Sequence, residues 1–438
     1  MTKQEKYNLA KWAMTHALEN GARQASVSIS NSRSNSVDVR EEKIDKLEQA
    51  IESNLSIRLF VDGKYSMHST NRLKKEELVR FIDEAIAGTR YLSEDEFRTL
   101  PEPSLYFKEK GIDLNTLDKN FDKLDPQEKI NLAFNIEKEV LGKDERIISV
   151  STGYYDGMSE RVMVTSNGFE GDTANSYYGL SASVSVKGGD ARPESGWSES
   201  SVFYDKLEKS GIGKTALERA LKKIGQGKVD SGKMSMIVEN RMVPRIFNPL
   251  VSALNGSAIQ QKNSFLMDNL NEKVFSDKLT VTDDPFVPSG RGSRLFDNEG
   301  LAAVKRLVFE AGVVKNFYID TYYGKKLNMN STSGNTSNVV FGTGKFNLDS
   351  LIAMVEKGIL VSGFNGGNCN GSTGDFSYGI EGFLIEKGKI IRPVSEMNIT
   401  GNMKILWSEI SEVGNDVYRN SPWLAPSILF NGVDFSGA

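Results

Sequence analysis

The chain has 438 residues, 39% hydrophobic and 26% charged, with 54 Lys+Arg against 58 Asp+Glu for a formal net charge of −4. That is an ordinary globular composition. It excludes a disordered chain, a collagen-like repeat and a strongly basic nucleic-acid surface, because no more than two basic residues adjoin anywhere. No window approaches 18 consecutive apolar residues, so no segment reads as a membrane span. The start, MTKQEKYNLAKWAMTHALENG, is charged and amphipathic without an apolar stretch or cleavage site, which predicts no signal peptide. One cysteine, Cys369, excludes an intrachain disulfide framework. Together these features predict a cytoplasmic protein.

In chain order, residues 4–20 predict a helix with Leu9, Trp12, Ala13, His16 and Leu18 on its apolar face and Gly21 as its stop. Four strand-like runs follow at Ala25–Ser30, Ser36–Arg40, Lys46–Ile51 and Leu55–Val61, and the turn Asp62-Gly63-Lys64 leads into Tyr65–Thr70. Lys74–Leu92 reads as a helix, and Ser93–Phe107, with Pro101 and Pro103, as a linker or surface loop. Asp125-Pro126-Gln127-Glu128 is a helix start, with Asp as N-cap, Pro at the first turn and Glu placed to return the capping bond. Strands are expected at Ile147–Thr152, Arg161–Thr165 and Gly179–Val186, then a helix over Gly213–Ile224. The glycine-rich stretch from Gly225 to Gly232 gives the clearest domain boundary.

The expected organisation is therefore α+β. Residues 1–226 form an N-terminal α/β region with a mixed sheet and flanking helices, with a sub-boundary near 93–124, and residues 227–438 a sheet-rich domain with glycine-rich loops. From Gly225 onward the chain holds 25 of the 40 glycines. A helix is expected over Met242–Gln261, and two E-x-G hairpins at Leu307–Val314 and Leu384–Ile390.

Only two histidines occur, His16 and His68, both early in the chain, so a histidine-based triad or a multi-histidine metal site has little to draw on. Gly227–Lys233 imitates a phosphate-binding loop, but Met234 stands where the Mg²⁺-holding hydroxyl belongs and a strand follows instead of a helix. Cys369 has no base near it in sequence. Its loop, Gly366 to Asp375, alternates glycine with Asn, Ser and Thr; such backbone admits a ligand or an extended peptide, or simply turns between strands. Ser289–Gly300 is a second glycine-punctuated loop, with Arg291 and Arg294 available to a phosphate or a carboxylate.

Six collinear segments carry a resemblance: Asn54–Thr70, Ser293–Gly300 (SRLFDNEG), Ile319–Gly334, Phe364–Phe383 (with TGDFSYGIEGF), Ile385–Asn402 (IEKGKIIRPVSEMNITGN) and Ser421–Gly437. In these the sequence resembles the TldD/PmbA (TldE) family, the "modulators of DNA gyrase" understood as metallopeptidases. The resemblance implies an N-terminal α/β region, a C-terminal sheet-rich domain, and dimerisation around a cavity that admits unfolded peptides. In the TldD branch a helix carries HExxxH and a later cysteine completes a zinc site, with the glutamate activating the bound water. Here the corresponding helix, Met242–Leu254, has no histidine, and the later position, near Asn420-Ser421-Pro422, has no cysteine. The pattern is similar to the PmbA/TldE branch. It implies no catalytic residue, metal or cofactor in this chain, zinc belonging to a TldD-like partner. The expected function is a non-catalytic subunit of a cytoplasmic zinc metallopeptidase acting on unfolded peptides; the alternative is a peptide-binding or chaperone-like homodimer. The residues expected to face peptide or partner are Arg294, Phe296 and Asp297 in one loop, and Gly366, Gly367, Thr373, Gly374, Asp375 and Phe376 in the other.

Overall fold

The computed structural model describes residues 1–109 and 111–437. The N-terminal half is built from α1 (Lys3–Glu19), β1 (Gln24–Arg40), β2 (Lys43–Val61), β3 (Lys64–Thr70), α2 (Lys75–Thr89), α3 (Pro126–Lys138), β4 (Ile147–Thr165), β5 (Glu170–Val186), β6 (Glu194–Ser201) and α4 (Ile212–Lys222). Its strands form one six-stranded sheet in the order β3-β2-β1-β4-β5-β6, antiparallel throughout. The mixed pairing expected here lies in the C-terminal half instead, because every connection in this half is a hairpin or returns antiparallel.

The four short runs expected before residue 61 are two long strands. The polar stretches between them continue the ladder, pairing Ser32 with Glu52 and Asn35 with Gln49. Backbone pairing needs no apolar side chain, so low hydropathy there was no sign of a turn. The runs Ile147–Thr152 and Arg161–Thr165 likewise belong to one strand, β4.

The helices cover one face of this sheet. Val27 and Ile29 of β1 pack under α1 and α2, while Val37 and Val39 join Ala133 and Ile136 of α3 and Ala216 of α4 in a second cluster. The buried stripe of α1 is Ala10, Ala13 and Ala17 with Lys6, not the Leu9–Trp12–His16 face. Alanines let the helix approach the sheet closely. Lys6 is tolerated inside because its ammonium meets Glu160 at 2.6 Å. His16 stacks on Trp12 at 5.6 Å and bonds Asp83 at 2.9 Å. His68 bonds Ser66 at 2.9 Å. At the start of α3, Asp125 accepts from the Gln127 amide at 2.9 Å. Glu128 makes no return capping bond, because its carboxylate accepts from the Tyr204 hydroxyl at 2.5 Å.

The C-terminal half contains β7 (Gly232–Val238), α5 (Val243–Ala253), α6 (Gly256–Gln260), β8 (Val281–Asp284), β9 (Arg306–Glu310), β10 (Val313–Val314), α7 (Thr321–Leu327), β11 (Asn338–Phe341), α8 (Leu348–Ala353), β12 (Lys357–Phe364), β13 (Asn368–Cys369), β14 (Asp375–Glu386), β15 (Lys389–Asn402), α9 (Met403–Ser408), β16 (Ile410–Val413), β17 (Trp423–Leu424) and β18 (Ile428–Ser436). One sheet runs β10-β9-β8-β11-β17, ending in a parallel pair. In the other, β12 pairs with β7 on one side and β14 on the other, so β12-β7-β18-β15-β14 closes on itself. Closure removes two strand edges that would otherwise need covering. Both E-x-G hairpins form, with positive φ at Ala311 and Gly312 and again at Lys387 and Gly388, the geometry that matches strand twist. The expected helix over Met242–Gln261 is two helices, since Asn255 leaves the first and caps the second by accepting from Ser257.

α5 crosses the main C-terminal core through Ile246, Phe247 and Leu250. Phe247 meets Phe341, Trp407 and Phe309 edge-on at 4.7–5.8 Å. That packing fixes which side of α5 is left outward.

Candidate functional site

The two glycine-punctuated loops occupy different environments. In Ser293–Gly300, Phe296 is 3% exposed and packs on Phe169 at 5.0 Å and Phe107 at 6.1 Å. Asp297 is 4% exposed, and its Oδ1 accepts from the Glu299 and Leu301 amides at 2.8 and 3.1 Å. Arg294 is half-buried, donating to the Asn335 carbonyl at 2.5 Å, and burial pushes its pKa down. This loop joins the two halves: Phe107 donates to the Gly300 carbonyl at 3.1 Å, and Arg161 of β4 donates to Asn298 at 3.0 Å. The expectation that Phe296 and Asp297 face a peptide or partner is corrected, because both side chains are interior and satisfied within the chain.

The second loop is open. Gly366, Gly367, Thr373 and Asp375 are exposed, while Gly374 and Phe376 are buried. Gly374 rests on the Phe265 ring, and Phe376 stacks with Tyr378 at 5.6 Å. Phe376 thus anchors the loop from below and faces no partner. Asp375 accepts from Thr373 at 2.7 Å and Asn402 at 2.9 Å, and these bonds lower its pKa.

The outward side of α5 lies against this loop. Arg245 donates to the Gly367 carbonyl at 2.9 Å, with its guanidinium 5.1 Å from the Tyr378 ring centre. Between them is a cleft of about 570 Å³ whose lining includes Arg245, Asn248, Ser252, Asn368, Cys369 and Trp423. The Cys369 thiol is pushed up to about 11, first by burial and then by the Asp375 charge. Arg245, Asn248 and Ser252 carried no signal in the sequence. Their pattern is visible only once Ile246, Phe247 and Leu250 are known to point inward.

The residues of this cleft do not fit zinc. A zinc site needs three protein ligands drawn from imidazole, thiolate and carboxylate. α5 offers a guanidinium, an amide and a hydroxyl, and Cys369 holds its proton far above neutral pH. Among the described residues, no three His, Cys, Asp or Glu side chains gather in a metal-holding group.

A larger cleft of about 840 Å³ lies between the halves. Its N-terminal wall is β6, which among the described residues pairs only with β5 and so leaves one edge free of strand pairing. Lys223, just after α4, donates to the Glu194 carbonyl at 2.7 Å and Arg241 to the Ser198 carbonyl at 2.8 Å. Three ion pairs join the walls: Arg219–Glu239 at 2.7 Å, Lys223–Glu381 at 2.6 Å and Arg241–Glu199 at 2.6 Å. Trp197 lies under Arg241 at 3.5 Å. The partners are far apart in sequence, so no local pattern reveals this cleft. No helix among the described residues is long and apolar enough to cross a membrane.

Three family models match in order: the domain 1 of PmbA/TldA metallopeptidases over residues 25–88, their central domain over 119–224 and their C-terminal domain over 231–437. The metalloprotease PmbA of Escherichia coli O157:H7 is 26% identical, covering 94% of this chain and 92% of that protein. Among solved structures, a protein from Bacteroides thetaiotaomicron described as a modulator of DNA gyrase superposes with a TM-score of 0.98 at 51% identity, covering 100% of both chains. TldE of Thermococcus kodakarensis superposes with a TM-score of 0.85 at 22% identity, covering 98% of this chain and 99% of that one. The six motif segments, the full-length superposition and the three domain matches in order agree: the chain belongs to the PmbA/TldD metallopeptidase family.

Proposed function

We propose that this chain is the metal-free subunit of a two-chain peptidase. It pairs with an HExxxH-bearing relative and supplies part of the wall along which an unfolded peptide reaches the partner's zinc. The observation that carries this reading is the cleft on α5. On the helix where the family resemblance puts zinc-binding histidines, this chain turns Arg245, Asn248 and Ser252 toward the cleft and has no histidine, while the fold around it is kept over the full length. The open Gly366–Asp375 loop and the free edge of β6 support the peptide part, since exposed backbone pairs with an extended chain whatever its sequence.

The test is reconstitution with the HExxxH relative encoded in the same genome. Size-exclusion with mass determination is expected to give a mixed species whose peptide cleavage exceeds that of either chain alone. Elemental analysis is expected to find zinc in the mixture and none held stoichiometrically by this chain. Full activity from the relative alone, with this chain eluting only with itself, overturns the reading and favours a peptide-binding homodimer.

A further inference from the structure

β2 is longer than the strand beside it. β3 pairs with it only from Leu55 to Val61, so on that side Lys43–Asn54 meets no strand among the described residues. On its other side the same stretch pairs with β1, which is itself backed by β4. All ten residues from Lys43 to Glu52 are exposed. At about 3.3 Å per residue they form an edge about 33 Å long, with outward N–H and C=O groups open to pairing. Three large apolar side chains stand on this edge: Ile44 at 44% exposure, Leu47 at 61% and Ile51 at 68%. Their partners on β1 are Val39, Val37 and Arg33, which alternate along one side of that strand, and both valines lie in the core with α3. The three side chains therefore share the helix-covered face. Leu47 and Ile51 border a groove there of about 370 Å³, lined on its other side by Phe121, Leu124 and Ile130.

Sheet edges are commonly protected by bulges and lysines. Both devices occur here, as a bulge opposite Asp38 and Val39 and as Lys43 and Lys46. Lys46, however, has a counterpart on the same edge. The free stretch runs from the turn at Glu41-Glu42 to Leu55, where β3 begins to pair, so its middle is Glu48 or Gln49. Two antiparallel copies related by a two-fold axis normal to the sheet keep their faces, and directly opposite side chains share a face. The axis must then pass through a residue. Centred on Glu48, the pairing opposes two like charges and sets Lys46 against Ala50. Centred on Gln49, it sets Lys46 against Glu52 and Leu47 against Ile51, each twice by symmetry. The Gln49 register thus joins opposite charges on one face and apolar side chains on the other. It also brings each hairpin turn to the end of the other copy's β3, so the two free stretches fill one another.

We infer that this edge pairs antiparallel with the same edge of a second copy of the chain, about a two-fold axis at Gln49. Two six-stranded sheets become one, and Leu47 and Ile51 are covered. The occupant is a second copy rather than an unrelated peptide, because charged and apolar side chains repeat in mirror order about one residue. The edge shares no residue with the α5 cleft, so the inference is independent of pairing with an HExxxH relative. Where both occur, the edge joins two mixed pairs. The paired stretch is short for a stable dimer, and association in the micromolar range is expected.

Sedimentation equilibrium of the full chain, from about 1 to about 200 µM, is expected to show a monomer–dimer equilibrium. Leu47→Lys/Ile51→Lys changes two exposed side chains and is expected to be monomeric over that range at an unchanged melting temperature. Lys46→Glu and Glu52→Lys each oppose like charges and are expected to weaken self-association about tenfold. Mixing these two variants restores both charge pairs and is expected to recover a mixed dimer of wild-type affinity. A covalent reading follows from the axis. With Cys369→Ser removing the native thiol, Gln49→Cys is expected to form a disulfide between copies under mild oxidation, since residues facing each other there lie within disulfide reach. A wild-type chain that stays monomeric throughout, a dimer that survives Leu47→Lys/Ile51→Lys, or charge variants that do not rescue each other overturns the inference. So does a monomeric wild-type chain whose mixed species with the HExxxH relative is lost in Leu47→Lys/Ile51→Lys, which assigns the edge to that relative.

Discussion

Ser289–Gly300 and Gly366–Asp375 look alike in sequence, each polar and punctuated by glycine, yet one is mortar and the other a surface. In the first, Phe296 enters an aromatic cluster with Phe169 and Phe107, and Asp297 closes the turn from inside. In the second, the aromatic residue is Phe376, which packs beneath the loop and leaves Thr373 and Asp375 in water. The difference comes from what covers each loop. The N-terminal half closes over the first through Phe107, Arg161 and Phe169, whereas α5 meets the second at Arg245–Gly367 and leaves a cleft beside that contact. Glycine content reports that backbone is packed tightly or bent sharply, and says nothing about whether a partner still has access.

The comparison breaks most visibly at Phe296. Phe296→Ala removes a ring that is 3% exposed and is expected to cost about 3–5 kcal/mol, read as a fall in the urea midpoint. Because the ring joins the halves, the loss should also separate the unfolding of the two halves into distinct steps. A loss below about 1 kcal/mol would mean the loop is peripheral.

The two aspartates give a finer test, one in each loop. Asp297→Ala leaves the Glu299 and Leu301 amides without their acceptor in a buried turn, a loss of about 1–3 kcal/mol. Asp375→Ala breaks bonds to Thr373 and Asn402, but water replaces them at an exposed site. Its effect on the midpoint is expected to be clearly smaller. If Asp375 proves the costlier residue, the assignment of one loop to the interior and the other to the surface is reversed.

Much of the fold was legible. The helix starting at Asp125, both E-x-G hairpins and the strand after Gly232 follow from capping and turn chemistry, which act over a few residues. The length of β1 and β2 was not, since their middles are held by pairing to each other rather than by an apolar core. Of the inward alanines of α1 only Ala13 is legible in the sequence, because larger residues dominate any count of hydropathy. At the candidate site, the absence of histidine after His68 could be read directly. Arg245 and the Arg241–Trp197 contact could not, since each joins residues more than forty positions apart in the chain.

The smallest expected effect concerns Cys369, which the comparison assigns to the wall of the cleft and not to its chemistry. Burial, and then the charge of Asp375, raise its thiol to about 11. A thiol with a raised folded pKa holds its proton more tightly in the folded state than in the unfolded one. It contributes to stability below the unfolded value, and that contribution is lost as pH rises through about 11. Around neutral pH, Cys369→Ser is therefore expected to leave the midpoint and peptide binding close to wild type, while flattening the decline in stability at alkaline pH. The rate of alkylation by iodoacetamide in the native chain is expected to keep climbing toward pH 11, since the thiolate is the reacting form. Asp375→Asn removes the second cause and should shift that profile to lower pH without abolishing it. A native rate that levels off near the usual thiol value of about 8.5 would mean that Cys369 meets open solvent, and that the loop does not close against α5 in solution.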